Sequence, residues 1–178
     1  SIDQYDPSIL RKPQFFHATG SSSMKNTPYV ISEWKNHPEY PMLHWYCSTE
    51  QYLYLAEDRP NLTCHMGRVT DEEIKYMQNE SMWIIQPSAS EGFGHCIMEA
   101  LSTGNTVISL DAPPMNEYPV ILSECKFVGY HNFGSCYVPT NLTDTIKKAM
   151  DSPQNNREDY LLMSEQFAKR VSDYIRSI

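Results

Sequence analysis

The sequence PSASEGFGHCIMEAL, residues 87–101, joins a short apolar run to an amphipathic segment through a turn with two glycines. The apolar run is MWIIQ at residues 82–86, and the glycines are Gly92 and Gly94. A strand, a glycine turn and a helix in this order form a βα unit. Glycines let a ligand approach the backbone, and the N–H groups at a helix start favour an anion. The stretch therefore predicts a βα unit whose turn suits a phosphate.

Other short apolar runs on both sides of this unit predict the rest of a sheet. They lie at residues 14–19, 42–47, 61–66, 106–110 and 126–129, and segments of helical periodicity separate most of them. Nearly continuous hydrophobicity suits parallel strands that are covered on both faces. We predict an α/β fold, a Rossmann-like parallel sheet of about six strands with helices on both faces.

Helix boundaries are marked by capping residues. Predicted starts are Asn26 or Thr27 with Pro28, Ser48 with Gln51, and Thr70 with Glu73. Gly104 lies where the helix through Ala100 should stop, at a position that tolerates a left-handed conformation.

The C-terminal part of the chain predicts two further helices, at about residues 140–150 and 158–175. The second carries an incomplete apolar stripe: Leu162, Phe167, Val171, Tyr174 and Ile178. We expect this helix to pack across the sheet or against a further domain. The expected organisation is one domain over residues 1–178, with 1–12 as a linker or N-terminal extension and 158–178 as a C-terminal packing helix.

The composition argues against several classes of main partner. With 14 Lys plus Arg against 22 Asp plus Glu, the net charge of -8 disfavours nucleic acid or an anionic membrane. No apolar run approaches the roughly 20 residues of a membrane span, and no signal peptide is recognisable, so we expect a cytoplasmic protein. The 5 cysteines form no CxxC pair, which favours reduced thiols over a zinc site or disulfides.

Two carboxylates flank the predicted anion site. Glu91 precedes the turn and Glu99 lies inside the helix, with seven residues between them. Carboxylates are poor ligands for phosphate but good acceptors for hydroxyls. A nucleotide sugar, with a central diphosphate and sugar hydroxyls at both ends, would satisfy this arrangement. His95 shares a helix face with Glu99, one turn nearer the phosphate.

These residues resemble a known family. The EGFG turn, the following EAL and the loop DAPPMNE at residues 111–117 resemble the C-terminal, donor-binding domain of retaining glycosyltransferases of family 4. FFHATG at residues 15–20, followed by Lys25, is similar to that domain's first strand, glycine turn and diphosphate lysine. The likeness covers nearly the whole chain. It implies one half of a GT-B fold and transfer of a hexose or deoxyhexose from a nucleoside diphosphate to a hydroxyl.

The resemblance also implies roles for individual residues. Glu91 and Lys25 would be catalytic, because Glu91 accepts hydrogen bonds from the donor sugar and Lys25 neutralises the leaving diphosphate. Glu99 would bind the ribose and Arg68 the base edge. The remaining expected donor contacts are Gly20, Ser21, Gly92, Phe93, Gly94 and His95. No metal and no cofactor is expected, and UDP-sugars are favoured over GDP- or TDP-sugars as the donor.

One position departs from the family. Ser21, Ser22 and Ser23 follow Gly20, where the family usually has an arginine that pairs with the lysine. The sequence leaves three alternatives for binding the diphosphate. A serine hydroxyl and backbone N–H groups take the place of the arginine, His95 contributes to diphosphate binding, or the diphosphate is bound more weakly. His17, inside an apolar run, is expected to be a hydrogen-bonded core histidine rather than a ligand group.

Three functions remain open from the sequence. The first is sugar transfer to a glycan acceptor, with a second Rossmann-like or neighbouring domain as partner. The second is a non-catalytic nucleotide-sugar-binding or assembly module of a larger protein, favoured by the absent arginine. The third, a dinucleotide-dependent oxidoreductase, is disfavoured because no GxGxxG follows the first strand.

Overall fold

The fold is built on a six-stranded sheet. A computed structural model describes residues 3–131, 134–151 and 153–177, apart from the side chains of Val171, Tyr174 and Ser177. All neighbouring strands of the sheet are parallel, and their order is β3-β2-β1-β4-β5-β6. The strands are β1 (Lys12–Gly20), β2 (Leu43–Cys47), β3 (Leu62–Met66), β4 (Ser81–Ile85), β5 (Thr106–Leu110) and β6 (Ile121–Ser123). This order is that of a Rossmann fold, so the predicted fold class is confirmed.

Helices cover both faces of the sheet. They are α1 (Thr27–Asn36), α2 (Asp71–Glu80), α3 (His95–Ser102), α4 (Leu142–Asp151) and α5 (Arg157–Ser177). One apolar cluster contains side chains of α1 and α4, and the other contains side chains of α2, α3 and α5. Each helix therefore buries its apolar side against one face of the same sheet.

Alternate residues of the strands supply the two apolar clusters. Phe15 of β1 joins the cluster with α1 and α4, and the adjacent Phe16 joins the other. The Phe15 ring lies 4.8 Å from the Trp83 ring and 4.9 Å from the Trp34 ring, measured between centroids. Because successive side chains of a strand point to opposite faces, a continuous apolar run is what a strand with two covered faces requires.

The sixth strand differs from the predicted one. Residues 126–129 do not extend the parallel sheet but lie in β7 (Cys125–His131), which pairs antiparallel with β8 (Gly134–Pro139). The sixth position is taken by β6, only three residues long. Most of β7 is exposed, because a two-stranded hairpin has no layer on its outer side. The prediction that this run forms a strand of the parallel sheet is therefore wrong, although the run does form a strand.

The predicted helix start at Ser48 is also wrong. Thr49, not Ser48, accepts a hydrogen bond from the Gln51 backbone, and a short 3-10 helix, Glu50–Leu55, follows. A hydroxyl one residue further on supplies the same type of cap, so local sequence could not distinguish the two.

Two other local predictions are confirmed. Thr70 and Glu73 form a capping box at the start of α2, with each side chain bonded to the backbone of the other. Gly104 follows the end of α3 with φ 77°. A Cβ there would lie 2.6 Å from the Asn155 side chain, so both backbone conformation and space favour glycine.

Helix α5 packs through Phe167 of the predicted stripe but leaves Leu162, another member of the stripe, exposed. Tyr160 and Met163 pack with α3 in the apolar cluster, and Phe167 contacts Phe93, whereas Leu162 is 55% exposed. Residues 160, 163 and 167 have the spacing of one helix face. The side chains of Val171 and Tyr174, and Ile178 as a whole, lie outside the described residues.

The segment before β1 contacts the ends of α2 and α3. The Gln4 backbone N–H bonds to Ser102 and that of Asp6 bonds to Asn79, while Arg11 donates to the Gly104 carbonyl at 2.7 Å. Ser1 and Ile2 lie outside the described residues. Within the described part of the chain, no helix has the length and apolar character needed to span a bilayer.

His17 is a buried core histidine, as predicted. Its Nδ1–H donates to the Ile85 carbonyl at 2.7 Å, and its Nε2 accepts from the Thr27 hydroxyl at 2.9 Å. This pattern uses the neutral imidazole. Burial lowers the pKa of His17 from 6.5 to about 4, so the folded protein takes up this proton only in acid.

This burial predicts a loss of stability in acid. Between pH 6.5 and about 4 the unfolded chain binds a proton at His17 that the folded chain does not, so stability falls as pH falls. In His17→Gln, the loss of unfolding free energy between pH 6.5 and about 4 should be smaller by about 3 kcal/mol. Urea unfolding at several pH values measures it. His37→Gln, near the surface, should keep the steep fall of the unsubstituted protein, and an equal flattening in both variants would contradict the assignment.

Candidate functional site

The sheet reverses its direction of winding between β1 and β4, and we call the space between the loops that follow these two strands the crevice. Strands β1 and β4 are neighbours, but the chain continues from β1 to β2 on one side and from β4 to β5 on the other. The loops that follow β1 and β4 therefore separate at the carboxyl edge of the sheet. Ligands of open α/β sheets bind at such a point.

Lys25 and Glu91 meet in this crevice. Lys25 ends the short 3-10 helix after β1, and Glu91 lies in the loop after β4. Their side chains form an ion pair, and each is largely buried, with 15% and 13% of the side chain exposed. Two chain segments that are far apart in sequence thus supply opposite charges at one place.

Two further side chains complete this ion-pair cluster, which consists of Lys25, Glu91, Ser88 and Cys96. The buried Ser88 hydroxyl donates to Glu91 Oε1 at 2.6 Å and accepts from Lys25 Nζ at 3.3 Å. Cys96 Sγ lies 3.3 Å from Lys25 Nζ and 3.5 Å from Glu91 Oε1. Sequence reasoning missed both Ser88 and Cys96, although both lie in the quoted motif.

The charges of the pair stabilise each other against burial. Burial opposes ionisation of Glu91, but the Lys25 ammonium outweighs it and holds the pKa of Glu91 below its ordinary value. Burial likewise disfavours the ammonium, yet the neighbouring Cys96 and Glu91 raise the pKa of Lys25. Burial raises the pKa of the Cys96 thiol to about 11. At neutral pH the cluster is an ammonium, a carboxylate and a neutral thiol.

Helix α3 begins directly beside the cluster. Gly94 is its N-cap residue, with φ 66°, and no side chain in the described part of the chain caps it. The Gly94 carbonyl accepts from the backbone N–H groups of Ile97 and Met98. The first N–H groups of α3 and its dipole give this end partial positive charge. It is a suitable place for an anion.

Tyr118 fixes the shape of the glycine turn. Its hydroxyl donates to the Phe93 carbonyl at 2.5 Å, and a Cβ on Gly94 would lie 3.2 Å from its ring. Tyr118 follows the loop at residues 111–117, which the sequence had associated with the site, but the residue itself was missed. Gly94 therefore has a left-handed backbone conformation and also lies against the Tyr118 ring, and both features favour glycine at this position.

Asn26 holds the two site loops together. Its side-chain amide donates to the Pro87 carbonyl at 2.8 Å and to the Tyr137 carbonyl at 3.0 Å. The Ala89 backbone N–H adds a bond of 2.7 Å to the Met24 carbonyl. Asn26 has φ 50° at the start of α1 and does not cap it with its side chain. The predicted capping residue thus positions the site instead.

Glu99 lies apart from the ion-pair cluster. It lines a cavity of about 180 Å³ with Gln4, Asp71 and Gln78, between α3 and α2. Burial raises the pKa of Glu99, although His95 and a hydrogen bond with Gln78 oppose the rise. The structure therefore brings Lys25 to Glu91 but leaves Glu99 in a neighbouring cavity.

The other predicted donor contacts lie at loop positions around the crevice. Gly20 ends β1 with φ 57°, and the exposed Ser21 follows it. Ser22 caps the short 3-10 helix by accepting from the Met24 backbone. Gly92, Phe93 and His95 are exposed around the turn, and the Phe93 and His95 rings lie 5.0 Å apart.

Arg68 lies at the far side of this row of loops. It is exposed, after Gly67 at the end of edge strand β3. Two strand spacings separate β3 from β1, which is about 10 Å.

The sheet order and the switch point define a Rossmann-like domain with a candidate ligand site at the carboxyl edge of its sheet. The sequence profile described as glycosyl transferases group 1 matches residues 48–167. The chain therefore belongs to the group 1 glycosyl transferases. No curated protein sequence matches it significantly.

Solved glycosyltransferase structures share the fold of this chain, which is that of a GT-B domain. The GtfA/B complex aligns with TM-score 0.63 and 20% identity over 96% of this chain and 35% of that one. The pneumococcal O-GlcNAc transferase GtfA in complex with UDP and GlcNAc aligns with TM-score 0.59 and 18% identity. The alignment covers 98% of this chain and 37% of that one. The chain thus spans about a third of these proteins.

A third structure has nearly the same extent as this chain. It is the C-terminal domain of a glycosyl transferase group 1 family protein (LpcC) from Francisella tularensis. It aligns with TM-score 0.59 and 17% identity over 90% of each chain. The similarity is one of fold.

Gly94 should be more sensitive to substitution than Gly92. Gly94→Ala places a Cβ against the Tyr118 ring at φ 66°, whereas a Cβ on Gly92 meets open space. We expect Gly94→Ala to cost about 1–3 kcal/mol of unfolding free energy and Gly92→Ala less than about 1 kcal/mol. Urea denaturation measures both. Equal effects of the two substitutions would argue against the turn geometry described here.

Removing Lys25 should leave an uncompensated buried carboxylate. Lys25→Met is expected to lower the unfolding free energy by about 3 kcal/mol, and adding Glu91→Gln should recover much of this loss. Lys35→Met is the matched control, because Glu57, the partner of Lys35, is exposed and also bonded to Arg59. Its effect should be far smaller. A double substitution no more stable than Lys25→Met alone would contradict the coupling.

Proposed function

We propose that this chain is the donor-binding domain of a retaining family 4 glycosyltransferase and binds a nucleoside diphosphate sugar in the crevice between the loops after β1 and β4. The observation that carries the proposal is the ion-pair cluster beside the uncapped start of α3. A cation and a helix N-terminus together suit a diphosphate. A carboxylate at the same point suits sugar hydroxyls.

The charge distribution suggests how the domain would assist transfer. Negative charge develops on the diphosphate as the sugar–phosphate bond breaks, and Lys25 with the first N–H groups of α3 would stabilise it. Glu91 would accept hydrogen bonds from the sugar. No metal and no cofactor takes part in this proposal. The acceptor is a glycan, and we expect a second Rossmann-like or neighbouring domain to contribute to its binding.

Glu99 and Arg68 would bind the nucleoside. Glu99 sits farther along α3 than the turn, where its carboxylate would accept from ribose hydroxyls. Arg68, about 10 Å across the sheet from β1, would lie at the base edge. UDP is the first nucleotide to test, since the pneumococcal protein was crystallised with UDP and GlcNAc.

A second candidate is a non-catalytic nucleotide-sugar-binding module. The absence of an arginine after Gly20 favours it, because Ser22 already uses its hydroxyl to cap the short 3-10 helix. Lys25 is then the cation of the crevice that faces the diphosphate, and it is shared with Glu91. Weaker stabilisation of the leaving group would suit binding without turnover.

Calorimetry with UDP, GDP, ADP and TDP tests the binding proposal. We expect UDP to bind and Glu99→Ala to weaken it about tenfold or more through loss of the ribose acceptor. Glu165→Ala, an exposed glutamate of α5, is the control and should bind as the unsubstituted chain does. No heat with any of the four nucleotides, or unchanged binding by Glu99→Ala, would contradict the proposal.

A turnover assay separates the two candidates. The chain is incubated with a UDP-sugar and glycan acceptors, with and without a candidate partner domain, and released UDP is measured. Release that depends on acceptor supports transfer. Binding without release under every condition supports the non-catalytic module.

A further inference from the structure

A separate cavity of about 570 Å³ lies between the glycine turn and α5. Phe93, Tyr118 and Phe167 contribute aromatic lining, and Glu117, Ser164 and Arg170 contribute polar lining. Its volume is in the range of small-molecule sites, about 300–1,000 Å³. It is distinct from the ion-pair cluster, whose members do not line it.

The aromatic rings of this cavity are unusually exposed. Phe93 is 44% exposed and Phe167 is 57% exposed, and their rings meet edge to face with centroids 6.1 Å apart. An edge-to-face pair leaves ring faces open for another contact. Exposed apolar side chains gathered at one cavity indicate a surface that another molecule covers.

The polar lining narrows the chemistry of that molecule. Arg170 offers several N–H donors, Glu117 offers acceptors, and the Ser164 hydroxyl offers both. A purely apolar occupant would remove water from these groups without replacing the hydrogen bonds, which is costly. A pyranose ring has apolar C–H faces for aromatic rings and hydroxyls around its edge, so it satisfies both parts of the lining.

The cavity is joined to the proposed donor site through Phe93 and Tyr118. The Phe93 side chain lines the cavity, while its backbone carbonyl is held by Tyr118 in the turn that would bind the donor. A sugar in this cavity would therefore lie beside the donor, on the α5 side of the turn. This position suits a ring of the acceptor.

We propose that this cavity binds a pyranose ring of the glycan acceptor, with Phe167 and Arg170 as its principal contacts. The inference rests on the proposed function, because it takes the turn as the donor site. Phe167 supplies a ring face and Arg170 supplies hydrogen-bond donors to hydroxyls. Neither residue belongs to the ion-pair cluster.

Saturation-transfer NMR on the full chain tests this assignment, with methyl glycosides of glucose, galactose, mannose and N-acetylglucosamine as probes, each with and without UDP. We expect at least one glycoside to bind, and Phe167→Ala and Arg170→Ala each to weaken it about tenfold. Leu162→Ala is the matched control, because Leu162 is on the same helix, is 55% exposed and does not line the cavity. It should bind the glycoside normally.

The outcomes distinguish this inference from the donor proposal. UDP binding should be unchanged in Phe167→Ala and Arg170→Ala. Glycoside binding that is insensitive to both substitutions, or no glycoside binding at the solubility limit, would overturn the acceptor cavity even if UDP binds. If an octyl glycoside binds more tightly than the methyl glycoside of the same sugar, the cavity takes an apolar ligand instead, and the acceptor assignment is wrong. Loss of UDP binding in Glu99→Ala concerns the donor site alone.

Discussion

The buried ion pair of Lys25 and Glu91 constrains the whole carboxyl edge of the sheet. A buried charge without a partner is costly, so the loop after β1 and the loop after β4 must stay within contact distance. Ser88 and Asn26 add hydrogen bonds between the same loops. The parallel order of β1 and β4 brings the loops to one edge, and the ion pair then fixes their relative position. The crevice is thus a consequence of topology and of one electrostatic requirement.

Local pattern predicted most of the sheet because both of its faces are covered. Runs such as MWII in β4 must be apolar on both sides, and this leaves a continuous apolar sequence. β6 escapes the same reasoning, because a strand of three residues gives too short a pattern. β7 has strand character, but its partner is β8. Sequence pattern indicates that a segment is extended, whereas pairing depends on the path of the chain.

The site was predictable where a residue's chemistry is local and unpredictable where it depends on contacts across loops. The glycine turn and Glu91 were predicted from the motif itself, and Lys25 was predicted from the resemblance to a family; the structure brings Lys25 and Glu91 together. The contact between Tyr118 and Gly94 joins two loops that are distant in sequence, so neither residue could be predicted from the sequence around the other. Asn26 looked like a helix cap, yet its amide is used between loops. Such residues need a fold before their function can be recognised.

The paired state of Lys25 has an energetic consequence for ligand binding. An ammonium already bonded to Glu91 can bind a diphosphate with little further desolvation cost, because most of its hydration is already lost. The incoming anion, however, must share the ammonium with a carboxylate, which disfavours binding through like-charge repulsion. The start of α3 has no such competing carboxylate in its cap, so it offsets part of this repulsion. Sugar hydroxyls on Glu91 would offset more, by replacing hydrogen bonds that the carboxylate now makes with Lys25 and Ser88. Recognition of the sugar and of the diphosphate would then be coupled through one carboxylate, and a donor with both groups should bind better than either group alone.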